Sequence, residues 1–413
     1  MIKVLQQHGI LAVLVILATI QLNGGILPAT FTTLLVMCYL QLIAMIIYKV
    51  IYFAPENRSD YRIVGIYFFW MITAGAIRGF FVAEYNYEFR DLISGIVFTS
   101  VPIVVYVYAT PTILWKTLHL WIWIAFPLFF IFYSWYLPVG MYQFYFGPLF
   151  LFFLIPILPN KWKIILAIIL LVLIVGDFGA RSQLAKATVV FLICIMAFFR
   201  KRIPVGIYSV VHWLCYIVPV VILYFAITGV YNPLEKMEDY QSGSLYEGEE
   251  DLTADTRSLL YEETIMSAVK NKYIWHGRSL ARGNDSWNFE TYTAQELKTQ
   301  KYERYGNEWC HPNVFTWLGL IGVFLFSFIY LKSSHLALYH SNNIWMKFFS
   351  MNIAFNWAWG WIENCLGIDI LNVGIMMMIA MGFSKQFREM SDKEIEAWFI
   401  SLFKWKYEED IVA

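Results

Sequence analysis

Long apolar stretches, each about the length of a membrane-crossing helix, recur through most of this chain. A helix needs about 20 apolar residues to cross the hydrocarbon core of a bilayer. Hydrophobic residues make up 59% of the 413 residues and charged residues only 15%, whereas a typical soluble domain is about 25% charged. These values exclude a soluble enzyme and a disordered chain. The equal numbers of basic and acidic residues, 30 each, leave no positive surplus for a nucleic-acid partner. The sequence predicts an all-α polytopic protein surrounded by the lipid bilayer.

The apolar stretches predict twelve transmembrane helices, interrupted late in the chain by one large hydrophilic segment. Residues 1–229 are expected to form helices one to nine, 230–311 the hydrophilic loop, 312–384 helices ten to twelve, and 385–413 a tail. The predicted spans are 9–27, 29–53, 61–82, 92–110, 113–133, 141–158, 161–177, 178–199, 205–229, 312–331, 344–362 and 367–384.

Basic residues are distributed asymmetrically between the loops, and this predicts the orientation of the chain. The short loops at 23–28, 134–140 and 363–366 contain no Lys or Arg. Because cytoplasmic loops are enriched in these residues, both termini are expected in the cytoplasm and loop 230–311 on the outer side. The opposite set of loops carries the basic residues Lys49, Arg58, Arg62, Lys116, Lys161, Lys163, Arg200, Lys201, Arg202, Lys332 and Lys347.

The outer loop contains 15 acidic and 9 basic residues and is too long to be a simple connection. Asp255 is expected to cap a helix over about 256–271. Helical spacing places Arg257 and Tyr261 on one face of that helix, which is expected to lie over the membrane-embedded spans.

Two features outside the loop helix give further expectations. Ser391-Asp-Lys-Glu394 has the pattern of a capping box and predicts an amphipathic interfacial helix in the cytoplasmic tail. Cys310 and Cys365 both fall near the outer face. The sequence leaves open whether they form a disulfide, since it does not show that they are close.

Polar residues at the outer ends of spans are the candidates for chemistry, because ionisable side chains there are costly to retain. Arg181 opens the eighth span, where a helix N-terminus and a guanidinium together favour a phosphate or diphosphate. His311 precedes the Pro that opens the tenth span, and an imidazole at this depth can act as a general base. Both residues also have a structural interpretation without a catalytic role: Arg181 as an Arg that snorkels to the lipid headgroups, and His311 as an ordinary interfacial His.

Further cations accompany these two residues. Arg257, Arg278 and Arg282 lie in the same loop as His311 and are either anion ligands or ordinary surface charges. Arg78, at the outer end of the third span, is either a further cationic site or the partner of nearby Glu84 and Glu88 in an ion pair.

The chain resembles the O-antigen polymerase and O-antigen ligase superfamily of bacterial envelope glycosyltransferases. The resemblance rests on many spans with one large late outer loop, an Arg opening a span before it (Arg181), and an Arg-led helix running into a Gly-containing turn at Gly277. It rests also on a His-x-Asn start to the next span, with Leu and Gly following (His311 and Asn313). The turn reads Gly277-Arg-Ser279 and departs from the Gly-x-Gly pattern of the family.

The resemblance implies a GT-C-like fold in the bacterial inner membrane, with an active site facing the periplasm and a polyprenyl-diphosphate-linked oligosaccharide as donor. His311 is then the expected base for the acceptor hydroxyl, and Arg181 and Arg257 the cations for the leaving diphosphate. One base opposite one leaving group implies inversion. No Asp-x-Asp pair occurs on the outer side, so we expect neither metal nor cofactor. The residues expected to contact substrate are Arg278, Arg282, Asn313, Tyr261 and Arg78.

Three functions compete. A polymerase of lipid-linked repeat units, with a chain-length regulator protein as a candidate partner, is favoured by the degenerate motifs, the many aromatic residues and the altered Gly turn. A ligase transferring the glycan to lipid A core is the alternative, because it uses the same donor chemistry. A transporter or flippase for a lipid-linked sugar is the third, although the chain has few charges within its spans and shows no related halves.

Overall fold

A computed structural model describes residues 31–127, 148–175, 181–228, 256–286, 301–368 and 370–404. Nearly all of the regular structure in these residues is helical. The first half contains α1 (Phe31–Tyr52), α2 (Arg62–Trp70), a π-helix (Met71–Ile77), α3 (Arg78–Val82), α4 (Asn86–Thr99), a 3₁₀ turn (Val101–Ile103), α5 (Val104–Val107), α6 (Pro111–Leu120), a second π-helix (Trp121–Ala125), a second 3₁₀ turn (Leu149–Leu154) and α7 (Asn160–Val175).

Among the described residues, the second half of the chain includes a 30-residue helix and one pair of very short strands. Its elements are α8 (Arg181–Phe198), α9 (Val205–Thr228), α10 (Thr256–Lys270), β1 (Asn284–Asp285), β2 (Glu303–Arg304), α11 (Cys310–Tyr339), α12 (Ile344–Trp359), α13 (Ile370–Phe383), α14 (Lys385–Glu389) and α15 (Asp392–Leu402). The two strands pair antiparallel, with Asn284 opposite Arg304.

Within the described ranges, five continuous helical segments are long and apolar enough to cross a membrane, which agrees with an all-α membrane protein. They are Leu35–Tyr52, Arg62–Val82, Asn86–Val107, Val205–Phe225 and Cys310–Tyr339. Two shorter apolar helices cover Leu184–Phe198 and Leu371–Phe383. The predicted span 9–27 lies outside the described residues, as do parts of 113–133 and 141–158. The count of twelve spans therefore stays a prediction, as does the GT-C-like arrangement.

Helix α11 forms the centre of the packing. It contacts α12, α13 and α2, and α9 packs against α12. The approach of α11 to α13 is close because Gly382 faces Ser333, whose hydroxyl donates to the carbonyl of Ile379 at 2.7 Å. Small residues at such an interface allow two membrane helices to approach closely and to exchange hydrogen bonds.

Helix α11 is broken at Gly319, where φ is +71°. The amide of Leu320 donates to the carbonyl of Ile274 at 2.8 Å, and the carbonyl of Thr316 accepts from the amide of Arg278 at 2.6 Å. Backbone groups freed by the break are thus satisfied by the segment that follows α10. Irregular backbone inside a membrane is tolerated only where protein buries it and supplies such partners.

The segment after α10 is therefore not an exposed loop along its whole length. Ser279, Leu280 and Ala281 are each at most 1% exposed, and the amide of Leu280 donates to the carbonyl of Gly75 in the first π-helix. We call residues 273–281 the inserted segment. It joins the predicted outer loop, which contains α10 and the strand pair, to two membrane-spanning segments, and the sequence did not predict this. We call the described residues 256–309 the outer region, after that prediction.

The predicted helix of the outer loop and the predicted tail helix are both present. Helix α10 covers Thr256–Lys270, against an expected 256–271. Helix α15 begins with the capping box of Ser391 and Glu394. Its apolar face, however, is covered by protein. Trp123 and Trp162 donate from their indoles to the carbonyls of Leu402 and Phe403, so the end of α15 is held against the second π-helix and α7. The apolar residues Ile395, Trp398 and Phe399 of α15 are buried by protein and do not face lipid.

Candidate functional site

His311 lies on the first turn of α11 and is 1% exposed. Its Nε2 lies 2.8 Å from the carbonyl oxygen of Trp357, and its ring contacts those of Trp357, Trp361 and Phe326. A carbonyl only accepts, so the neutral ring carries its hydrogen on Nε2 and keeps a lone pair on Nδ1. That Nδ1 is buried and has no hydrogen-bond partner among the described residues. The ring is thus held in the tautomer that offers a base at Nδ1.

A disulfide holds the start of α11 to the segment after α12. Cys310 and Cys365 are bonded, with their Cα atoms 5.2 Å apart. The amides of Cys310 and His311 both donate to the carbonyl of Gly360, at 3.0 and 3.1 Å. Covalent and backbone bonds therefore fix the position of the imidazole. The pairing that the sequence left open is present, and it agrees with an outer, oxidising side for these residues.

A buried ion pair lies on the same side of the molecule. Lys186 on α8 is 2.8 Å from the carboxylate of Glu363, and the Lys186 side chain is only 9% exposed. The indole of Trp359 donates to the same carboxylate at 2.8 Å, and the backbone carbonyl of Glu363 accepts from the amide of Cys310. The pair is thus joined to the disulfide and, through it, to His311.

A small cavity of about 20 Å³ lies beside Lys186 in the interior of the helical bundle. Asn352, Asn356 and apolar residues of α12 and α13 line it, among them Met378. The amide of Asn356 donates to the carbonyl of Asn352 at 2.8 Å. The cavity is the size of one water molecule, and it shows that polar groups continue below the ion pair towards the bundle interior.

Two of the residues expected to contact substrate hold the outer region against α11. The ring of Tyr261 stacks on that of Trp309 with 4.5 Å between centroids, and its hydroxyl donates to the carbonyl of Trp361. The amide side chain of Asn313 bonds to the backbone of Asn307 in both directions, accepting at 2.6 Å and donating at 2.8 Å. Both side chains shape the surroundings of His311, and substrate contact by them stays a prediction.

Arg78 binds backbone carbonyls. The sequence left open an ion pair with Glu84 or Glu88, and no such pair is present among the described residues. Its guanidinium donates to the carbonyls of Gly277 and Arg278, at 2.5 and 2.6 Å. These two carbonyls belong to the inserted segment, and the planar fork of N–H donors of Arg78 satisfies both of them. Arg78 therefore fastens the inserted segment to the span Arg62–Val82.

Arg278 and Arg282 take part in an ion-pair network. Arg278 is 2.6 Å from Asp285 and 2.9 Å from Glu303. Arg282 pairs with Glu303 and lies 3.4 Å from Glu88 on α4. Glu88 in turn is 2.7 Å from Lys301. These pairs give both arginines a role in holding the strand pair to α4, and their binding of substrate stays a prediction.

The network shifts the titration of its members. Hydrogen bonding to Glu303 raises the pKa of Arg282 above its ordinary value, despite burial. Burial alone would raise the pKa of Asp285, but the amide of Asn271 and the guanidinium of Arg278 outweigh it, and the pKa of Asp285 is lowered. The paired ionised forms are therefore the stable ones, as expected of a structural network.

Arg181 and Arg257 occupy the first turns of α8 and α10. The described residues include their backbone but not their side chains, so their contacts lie outside what the structure describes. Their helical positions agree with the sequence, and their role towards an anion stays a prediction.

Lys186 and Glu363 were missed in the choice of site residues. The segment from Asp177 to Lys186 does carry a signal, since its charges break the positive-inside pattern on the outer side. Glu363 gives no comparable signal, because a single carboxylate in a short outer loop is ordinary. Among the described residues, no group of three His, Cys, Asp or Glu side chains is placed to hold a metal ion.

No family model, curated protein or solved structure matches this chain. Membership of the O-antigen polymerase and ligase superfamily therefore stays a prediction that rests on the sequence motifs.

Removal of the disulfide is expected to destabilise the outer end of the bundle. Cys310 and Cys365 are 55 residues apart, and closing a loop of this length stabilises a fold by about 3–4 kcal/mol. The double substitution Cys310→Ser and Cys365→Ser should lower the melting temperature of the detergent-purified protein, and a reductant should do the same to the wild type. Cys38→Ser, at an unbridged cysteine, is the control. Equal melting of all three proteins in oxidising buffer would contradict a bridge that stabilises the fold.

Proposed function

We propose that the protein is a membrane glycosyltransferase that polymerises polyprenyl-diphosphate-linked oligosaccharide units into a surface polysaccharide. The observation that carries this proposal is the state of His311, whose ring is fixed by Trp357 and whose Nδ1 is buried without a partner among the described residues. A buried nitrogen left unpaired costs stability, and a role in catalysis is one reason why such a group is retained.

In the proposed reaction, a hydroxyl of the acceptor sugar gives its proton to Nδ1 of His311 as its oxygen attacks the anomeric carbon of the donor. The bond from that carbon to the diphosphate oxygen breaks, and the electron pair leaves with the lipid diphosphate. Attack opposite the leaving group inverts the anomeric centre. Because Nδ1 is covered in this structure, acceptor binding must also uncover it, and apo sites often tighten or rearrange in this way.

The leaving diphosphate requires fixed positive charge. Lys186 and Glu363 neutralise each other at 2.8 Å, so the proposal assigns that charge to Arg181 and Arg257. Each of these residues lies on the first turn of a helix, where the N-terminus offers backbone N–H groups to an anion. Cations held in place before the reaction stabilise developing charge without reorganisation.

Purified protein tests this assignment. Wild-type protein in detergent should extend a lipid-linked donor without a sealed compartment, whereas a transporter or flippase would give no product. Arg181→Ala and Arg257→Ala should each lower extension by about 100-fold or more. The corresponding Lys variants should recover little of it, because Lys lacks the bidentate fork. Glu249→Ala, in the acidic run of the outer loop, is the control. Activity in the Ala variants close to that of wild type would contradict the assignment.

A ligase would use the same donor and the same base, so the acceptor distinguishes the two enzymes. Deletion of the gene in a native cell that makes O-antigen is expected to leave lipid A core with at most one repeat unit. Loss of a ligase would instead leave long polymer on the prenyl lipid and bare core. That second result would overturn the choice of polymerase while keeping the transfer chemistry.

A further inference from the structure

A wide cleft opens between the end of α1 and the start of α2, on the face where the charge pattern predicts the cytoplasm. Its volume is about 840 Å³. Three basic residues line it, Lys49 from α1 and Arg58 and Arg62 from the turn and helix that follow, and none of the residues that line it is acidic. The cleft is therefore positively charged and lies at the ends of two membrane-spanning helices.

The carboxylates closest in sequence are engaged by other cations. Asp60 lies 3.5 Å from Lys332 and 3.3 Å from Arg388. Glu56 lies 3.2 Å from Lys385. Among the described residues, no carboxylate is within ion-pair distance of Lys49, Arg58 or Arg62. The positive charge of the cleft is therefore left for a ligand.

The wall of the cleft provides further features of a binding site. Tyr61 lines it and is 2% exposed, and its buried hydroxyl has no hydrogen-bond partner among the described residues. Tyr106 also lines it, and the ammonium of Lys49 lies 4.9 Å above the Tyr106 ring. A ring face orients a cation without neutralising its charge, which keeps Lys49 at the cleft.

The sides of the cleft that continue along the spans are apolar and uncovered by protein. Val50 is 77% exposed and Phe69 is 68% exposed, and Ile66 lies between Arg62 and Phe69 on the same helix. A basic cleft that continues into apolar helix surface matches a molecule with an anionic head and hydrocarbon chains. A soluble anion would use only the basic part.

We propose that this cleft binds an anionic glycerophospholipid, with its phosphate among Lys49, Arg58 and Arg62 and its acyl chains along Val50, Ile66 and Phe69. The cytoplasmic leaflet is rich in such lipids, and basic pockets between membrane helices on that side bind their head groups. The site is on the face opposite to His311 and does not depend on the glycosyl transfer proposed above.

Native mass spectrometry of the full-length protein, equilibrated with equal amounts of phosphatidylglycerol and phosphatidylcholine, tests the proposal. The wild-type protein should retain more phosphatidylglycerol than phosphatidylcholine. Arg58→Gln combined with Arg62→Gln should weaken that binding by about 25-fold, since each cation near an anionic head contributes about fivefold. The matched control is Lys201→Gln combined with Arg202→Gln, which removes the same charge from exposed residues of the same face and should change binding less than twofold.

Two further measurements complete the test: a competition with inorganic phosphate, which identifies the ligand, and a single substitution for use if the double variant does not fold. Inorganic phosphate at millimolar concentration should not displace the lipid. Displacement would mean that a free phosphate group is the ligand and would overturn the lipid assignment. If the double variant does not purify as a folded protein, Lys49→Gln alone should show the fivefold loss. Unchanged phosphatidylglycerol binding in a folded variant, or equal retention of both lipids by the wild type, would overturn the proposal.

Discussion

His311→Gln is expected to lower glycan extension by at least about 100-fold while leaving the protein folded in the membrane. The amide of Gln can donate to the carbonyl of Trp357 as Nε2 of the imidazole does, but it offers no basic nitrogen. General-base catalysis contributes about 10²- to 10⁴-fold to such reactions. Product formation from a lipid-linked donor and thermal melting of the same preparation are the two measurements.

The control for this substitution is His340→Gln, which changes an exposed His at the opposite end of α11. It should retain wild-type extension and melting. Near-normal product from His311→Gln would remove the base assignment. A parallel loss of activity and melting temperature would instead show that the imidazole acts mainly through its packing against Trp361 and Phe326.

Gly277→Ala is expected to lower the stability of the fold by about 2–5 kcal/mol and to reduce the amount of protein in the membrane. Gly277 has φ of +74°, and a methyl group there would overlap the backbone of Trp317 and Leu318. Left-handed backbone costs a non-glycine residue about 1–2 kcal/mol, and overpacking adds about 1–3 kcal/mol. Gly319→Ala should have a similar effect, because a methyl group on Gly319 of α11 would overlap the backbone of Trp275 and Gly277 in the inserted segment.

Gly306→Ala provides the matched control in the same outer region. Nothing lies within 4 Å of the position that its added methyl would occupy, so its melting temperature should stay close to that of wild type. Thermal unfolding in detergent and quantitative blotting of membranes measure both effects. Equal melting temperatures for Gly277→Ala and Gly306→Ala would contradict the close contact between the inserted segment and α11.

Local patterns predicted the parts of the fold that depend on local interactions. The capping box at Ser391 and the helix after Asp255 both appear, because a cap and an amphipathic repeat act within a few residues. The membrane-protein class follows from long apolar runs for the same reason. Among the candidate site residues, His311 and Asn313 were chosen because they lie where a polar segment meets a span, and their roles stay a prediction.

The features that the sequence did not predict depend on contacts between distant segments. Gly319 stands in an apolar run that reads as continuous helix, and its break is stabilised by carbonyl and amide groups about 45 residues earlier in the chain. The pairing of Lys186 with Glu363 joins α8 to the segment after α12, and one sequence contains no sign of their proximity. An ion pair of Arg78 with Glu88 was one interpretation, because the two residues are near in sequence. In the structure the guanidinium of Arg78 instead donates to backbone carbonyls of the inserted segment.

The covered position of α15 has a consequence for biosynthesis. The ribosome makes this helix after all the membrane-spanning helices described above, yet the indole groups of Trp123 and Trp162 donate to carbonyls at its end, and Trp115 donates to Ser401 at 2.6 Å. Until residues 392–404 have emerged, those indoles lack these partners and the apolar surface under α15 is bare. Insertion into the bilayer can therefore proceed from the N-terminus, but the end of the bundle that holds α15 completes its packing only after translation of α15. Nascent chains arrested before that point should be more accessible to proteases and chaperones than chains arrested after it.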